Sequence, residues 1–101
     1  MWLMVMFDLP TVTKEEKREY TRFRKYLLAE SFVQLQFSVY AKFCSSRENS
    51  QKYNRYIQEV VPPGGYVRLL CVTDKQFGDM VSLYGKKLED IEEKPEQLLL
   101  F

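Results

Sequence analysis

Histidine is absent from all 101 residues. That removes the commonest general base, the Ser–His and Cys–His nucleophile pairs, and ordinary zinc sites. Cysteine is scarce. Cys44 and Cys71 lack metal-ligand spacing and sit in apolar contexts, so they read as reduced, buried small hydrophobes rather than as a disulfide. No Gly-rich phosphate loop occurs, and no apolar run reaches membrane-spanning length, because Asp8 interrupts the N-terminal one. The N-terminus has neither the basic start nor the small-residue cleavage site of a signal peptide, so a cytoplasmic protein with no membrane partner is expected. Charge of neither sign dominates, the net being +1. Catalysis in such a chain falls to carboxylates, hydroxyls, Lys or Arg, together with a hard metal ion.

What is present is a modest core. At 46% hydrophobic and 15% aromatic residues the chain can build one domain, and at this size an oligomer would add useful burial. Trp2–Phe7 offers no polar face, which predicts an interior strand covered on both sides. Asp8 stands where that strand leaves the core, and Pro10 stops the sheet. A carboxylate there is rigidly held yet open to solvent; it reads either as a turn or helix-start residue or as a functional acid.

Thr13 with Glu16 has the form of a capping box, predicting a helix with Tyr20, Phe23 and Leu27 as its buried stripe. Lys14, Lys17, Arg18, Arg22 and Lys25 gather on its other side, as a solvated face or as a phosphate-contacting ridge. From Phe32 the period changes to two. Val33, Leu35, Phe37, Val39, Ala41 and Phe43 share one face and Gln34, Gln36, Ser38, Tyr40 and Lys42 the other, as one long strand or as one that bends back near Gln36. Ser45 with Glu48 predicts a second capped helix, with Tyr53, Tyr56, Ile57 and Val60 as its apolar stripe, ended by Pro62-Pro63-Gly64-Gly65. Tyr66–Thr73 reads as a further strand carrying Arg68, and Val81–Tyr84 as a short one closed by Gly85. An acidic link then leads to an apolar tip, Leu98, Leu99, Leu100 and Phe101, which should pair with a sheet edge of its own domain or of a neighbour. The order predicts an α+β, ferredoxin-like βαββαβ sandwich with extra C-terminal strands. Its helix-free sheet face would be covered by a second copy, a homodimer.

Three stretches resemble, in order, the motifs of the Cas-two family of CRISPR-associated proteins. They are Met4-Val5-Met6-Phe7-Asp8-Leu9-Pro10-Thr11, Gln36-Phe37-Ser38-Val39-Tyr40, and Thr73-Asp74-Lys75-Gln76-Phe77 before a strand ending Tyr84-Gly85. The resemblance, which looks strongest to the small adaptation protein of type II systems, implies a hairpin within the long alternating stretch. It implies a domain over 1–85, followed by a linker and a C-terminal strand over 86–101 that docks on the partner protomer. It further implies an Mg2+- or Mn2+-dependent endonuclease of RNA or DNA with Asp8 as metal-binding and catalytic residue. The partner would be the CRISPR integrase, and the process the acquisition of new spacers. The alternative it carries is a non-catalytic dimeric scaffold that bridges integrase units along duplex DNA.

By the same resemblance, Lys14, Lys17, Arg18, Arg22, Lys86 and Lys87 would track a nucleic-acid backbone, and Leu98–Phe101 would dock on the partner. Ser38 and Tyr40 could each approach a phosphate or pair with a neighbouring strand. Arg68 could contact phosphate or join an inter-chain ion pair.

Overall fold

The computed structural model describes residues 1–85. Lys86, Lys87, the linker and the tail Leu98–Phe101 lie outside the described residues. The described chain runs β1 (Trp2–Asp8), α1 (Lys14–Ala29), β2 (Val33–Gln36), β3 (Val39–Phe43), α2 (Arg47–Val60), β4 (Tyr66–Val72) and α3 (Asp74–Gly78). The strands form one sheet in the order β2-β3-β1-β4, with every neighbouring pair antiparallel. This is the ferredoxin-like α+β arrangement the element order predicts, and it makes the all-apolar β1 an interior strand.

Leu3, Val5 and Phe7 of β1 point to the helices and are buried with Phe23 and Leu27 of α1 and Ile57 of α2. Phe7 is the hub, edge-on to Phe23 at 5.1 Å and stacked on Tyr40 at 5.7 Å. Helix α1 starts where the Thr13/Glu16 pattern predicts. The Thr13 hydroxyl accepts from the Glu16 amide, and the Glu16 carboxylate accepts from the amides of Thr13 and Val12.

The alternating stretch is where period-two reading misleads. It is a hairpin, as the family resemblance implied, turning through Phe37 and Ser38, with Ser38 in the left-handed region at φ 61°. The register sets Val33 against Ala41 and Gln34 against Tyr40, and a bulge follows. Odd residues therefore share one sheet face and even residues the other. The even face, polar in the sequence, turns to the helices: Tyr40 is fully buried, and the Lys42 amine lies 4.6 Å from the Tyr53 ring centre and donates to the Glu30 carbonyl. The odd, apolar face turns away from them. Val33 and Phe43 are exposed there, alongside Leu70 of β4, which is 50% exposed.

Further differences concern boundaries. The cap of α2 is Ser46, whose hydroxyl accepts from the Asn49 amide, so the Ser45/Glu48 pairing is displaced by one residue. The stripe of α2 runs through Ser50, Tyr53 and Ile57, with Tyr56 and Val60 at its exposed margin. Thr73–Phe77 opens α3 through a Thr73/Gln76 capping box, and Phe77 stacks on Trp2 at 4.0 Å, covering one end of the helix-free face. Val81–Tyr84 forms no strand; Val81, Leu83 and Tyr84 are exposed and make no ladder within the described chain, where a strand needs an edge to pair with. Both cysteines are free. Burial raises the Cys44 thiol above its ordinary range, which keeps it protonated and inert.

Candidate active site and basic ridge

Asp8 is exposed at the last position of β1, and its side chain belongs to the helix-free face, because its alternates Val5 and Phe7 face the core. Three neighbours hold that strand end. On one side β4 pairs along its whole length, placing Tyr66 opposite Asp8 and Arg68 opposite Met6. On the other the hairpin turn closes in, the Phe7 amide donating to the Ser38 carbonyl at 3.1 Å. Beneath, the Pro62–Gly65 loop arrives through Gly65, where a β-carbon would stand 3.1 Å from the Asp8 carbonyl oxygen and 2.3 Å from the Leu9 side chain. Glycine allows that approach, and Gly64 beside it takes φ +82°, the left-handed turn that brings β4 back.

The result is an open cleft of about 450 Å³ lined by Met6, Phe7, Asp8, Tyr66 and Arg68. It holds one carboxylate and one guanidinium. Arg68 is exposed and makes no ion pair with a described residue. Its planar fork is suited to two phosphate oxygens. Among the described residues no three His, Cys, Asp or Glu side chains gather. Asp8 thus offers a metal ion a single carboxylate. That fits Mg2+ or Mn2+, which take oxygen ligands and keep several waters, when two copies each contribute an Asp8; one chain supplies half the set.

The sequence-derived candidates separate. Asp8 and Arg68 come together, with the Ser38 turn bonded beside them. Tyr40 does not: it is 0% exposed, its hydroxyl has no partner among the described residues, and from the core it reaches no external phosphate. Its placement among polar alternates concealed this, because the hairpin delivers the even face to the helices. Tyr66, absent from the sequence-derived set, lies directly across from the carboxylate. The signal was available. If Trp2–Asp8 and Tyr66–Val72 pair antiparallel and end to end, the first residue after Gly65 must face the last residue of β1.

A second feature lies on the outer side of α1. Lys14, Lys17, Arg18, Thr21, Arg22 and Lys25 line a shallow groove of about 480 Å³. Among these cations only Arg22 has an acidic partner among the described residues, Glu19 at 3.4 Å, and both side chains are solvent-accessible. The groove spans about 16 Å at 1.5 Å per residue, comparable to a few phosphates of a nucleic-acid backbone. No helix among the described residues is long and apolar enough to cross a membrane.

Comparison with known proteins adds three findings. The family model described as CRISPR associated protein Cas2 matches residues 1–80. A protein of Parvibaculum lavamentivorans named CRISPR-associated endoribonuclease Cas2 is 45% identical over 101 residues, covering all of both chains. One of the same name from Flavobacterium psychrophilum is 43% identical over 101 residues, covering all of this chain and 88% of that protein. The crystal structure of Streptococcus pyogenes Cas2 at pH 6.5 superposes with a TM-score of 0.62 at 14% identity, over 83% of this chain and 100% of the other, which supports the fold.

Proposed function

The chain belongs to the Cas2 family of CRISPR-associated proteins, and from that membership we propose that it is a metal-dependent endonuclease acting in the acquisition of new spacers. The observation that carries this reading is the cleft at the end of β1: an exposed carboxylate on a rigid central strand, with an unpaired guanidinium beside it on β4, opposite Met6. Phosphodiester hydrolysis needs charge neutralised at the phosphate and a water made nucleophilic. A divalent ion held by Asp8 from two copies supplies both without histidine. Arg68 binds and orients a non-bridging phosphate oxygen. The β4 and hairpin ladders fix Asp8 so that no reorganisation is needed as charge develops.

The dimer follows from the same sheet. The apolar odd residues of the hairpin face away from the helices, and a second copy laid on that face would bury them and bring the two carboxylates together.

The basic ridge favours a second reading. It lies on α1, on the helical side of the sheet, whereas Asp8 belongs to the other face. A dimer could therefore lie along duplex DNA through its ridges and join integrase units without cleaving anything. Phosphate contacts carry no sequence information, which suits a protein that must accept any spacer.

One pair of assays separates the readings. Cleavage of RNA and DNA is expected to need Mg2+ or Mn2+, to stop with EDTA, and to fall at least a hundredfold in Asp8→Asn, which keeps size while removing the charge the ion requires. Spacer integration by the complete complex is then run with the same variant. Full integration without cleavage places the function in the scaffold; cleavage that survives both EDTA and the substitution contradicts the Asp8 site.

A further inference from the structure

Two large aromatic rings stand almost wholly in solvent on the two flanks of Asp8. Tyr66, its register partner on β4, is 75% exposed. Phe37, in the hairpin turn, is 79% exposed. Its position follows from the ladder: Met6 pairs with Val39 and the Phe7 amide bonds to Ser38, so the next position along, beside Asp8, is that of Phe37. One face of the Phe37 ring is backed by Tyr20, nearly parallel at 6.4 Å, which fixes its plane and leaves its other side to solvent. The two α-carbons are about two strand spacings apart, ~9.5 Å, with the carboxylate between them.

We propose that Phe37 and Tyr66 are the specificity-determining residues of the Asp8 site, stacking on the bases either side of the phosphate presented to the carboxylate. This rests on the assignment of Asp8 as the reactive centre. An aromatic ring receives a nucleobase only when the base leaves its own stack, so the rings select nucleic acid that is single-stranded, or locally melted, at that step. Stacking is indifferent to base identity, because every base has a π-face, so the selection is for strandedness and not for sequence. An intact duplex keeps its bases inside and gains nothing from the rings. The α1 ridge touches backbone alone and accepts either form, so strandedness is decided at Asp8 and not on the ridge.

The test is base fluorescence in the full-length Asp8→Asn protein, which holds substrate without consuming it. Short RNA and DNA oligonucleotides carry 2-aminopurine at successive positions, alone and within a duplex. The single strands should show quenching at two positions flanking one phosphate, and the duplex should show none. Phe37→Leu and Tyr66→Leu, each made in the Asp8→Asn background, should each abolish the quenching at one of those positions. Each should also weaken single-strand binding about 5- to 150-fold, with duplex binding unchanged. Tyr66→Phe should restore both readouts. Quenching that persists in the leucine variants overturns the proposal, as does an equal loss of duplex and single-strand binding. Sedimentation of the same variants covers the remaining case: if leucine merely releases monomers and binding follows dimer content, the rings are interface groups and the proposal fails. Failure of the Asp8 assignment shows elsewhere, as cleavage undiminished in Asp8→Asn, and leaves the quenching result to be read on its own.

Discussion

At the scale of single residues, burial sorts the candidates more sharply than residue type does. Asp8 was legible because it ends an apolar run and is followed by Pro10, a pattern that needs no knowledge of the sheet. Tyr40 was not, since its alternation with Gln34, Ser38 and Lys42 places it on a polar face until the hairpin is known. Its hydroxyl, buried in the core, has no partner among the described residues. An unsatisfied buried hydroxyl costs about 1–3 kcal/mol. Tyr40→Phe, which keeps the ring on Phe7, is therefore expected to leave the unfolding free energy unchanged or raise it by about 1 kcal/mol, read by urea denaturation. A loss of more than about 1 kcal/mol would mean that the hydroxyl has a partner beyond residues 1–85. Tyr66 stayed hidden for another reason: its importance lies in register, and register is a property of two strands at once.

At the scale of elements, signals that act within one turn of chain were readable and those that act across the sheet were not. The capping box of α1 is local and stands where the sequence put it. The Glu16 carboxylate is held below the ordinary glutamate range, first by the Thr13 amide it accepts from, then by the Val12 amide and the Thr13 hydroxyl. Because its native pKa is depressed, the stabilisation is present above the ordinary glutamate pKa and is lost as the pH falls through the native value. Wild type should therefore exceed Glu16→Gln in stability at neutral pH, and the gap should close in acid; a gap independent of pH contradicts the cap. The hairpin is the opposite case, since nothing between Phe32 and Phe43 is a Gly, Pro or Asn, and Ser38 takes the left-handed turn instead. The basic ridge was legible by helical spacing alone. Neutralising it with Arg18→Gln/Arg22→Gln should lower the log–log salt slope of duplex binding by roughly 0.9 for each phosphate no longer neutralised, and folding should change by less than about 0.5 kcal/mol. An unchanged slope would make the ridge a solvated face.

At the scale of the whole molecule, one chain presents an incomplete surface and an incomplete site, and both deficits lie on one sheet face. Val33 and Phe43 of the hairpin and Leu70 of β4 are exposed on it, while α3 covers only the Trp2 end through Phe77. At the other end the face carries Asp8, a single carboxylate with no second acidic ligand gathered beside it among the described residues. The need for cover was legible in the apolar first strand. That the apolar side of the hairpin is the side left bare was not, because it depends on which face the helices take. A second copy on this face answers both deficits at once, so the central claim is that the metal site is made by two chains. Mn2+ binding, followed by electron paramagnetic resonance across protein concentrations that span dimer dissociation, tests it directly. The account predicts one tightly held Mn2+ for every two chains, released as the dimer dissociates and absent from Asp8→Asn. One Mn2+ per chain, held by the monomer and retained in Asp8→Asn, would contradict it.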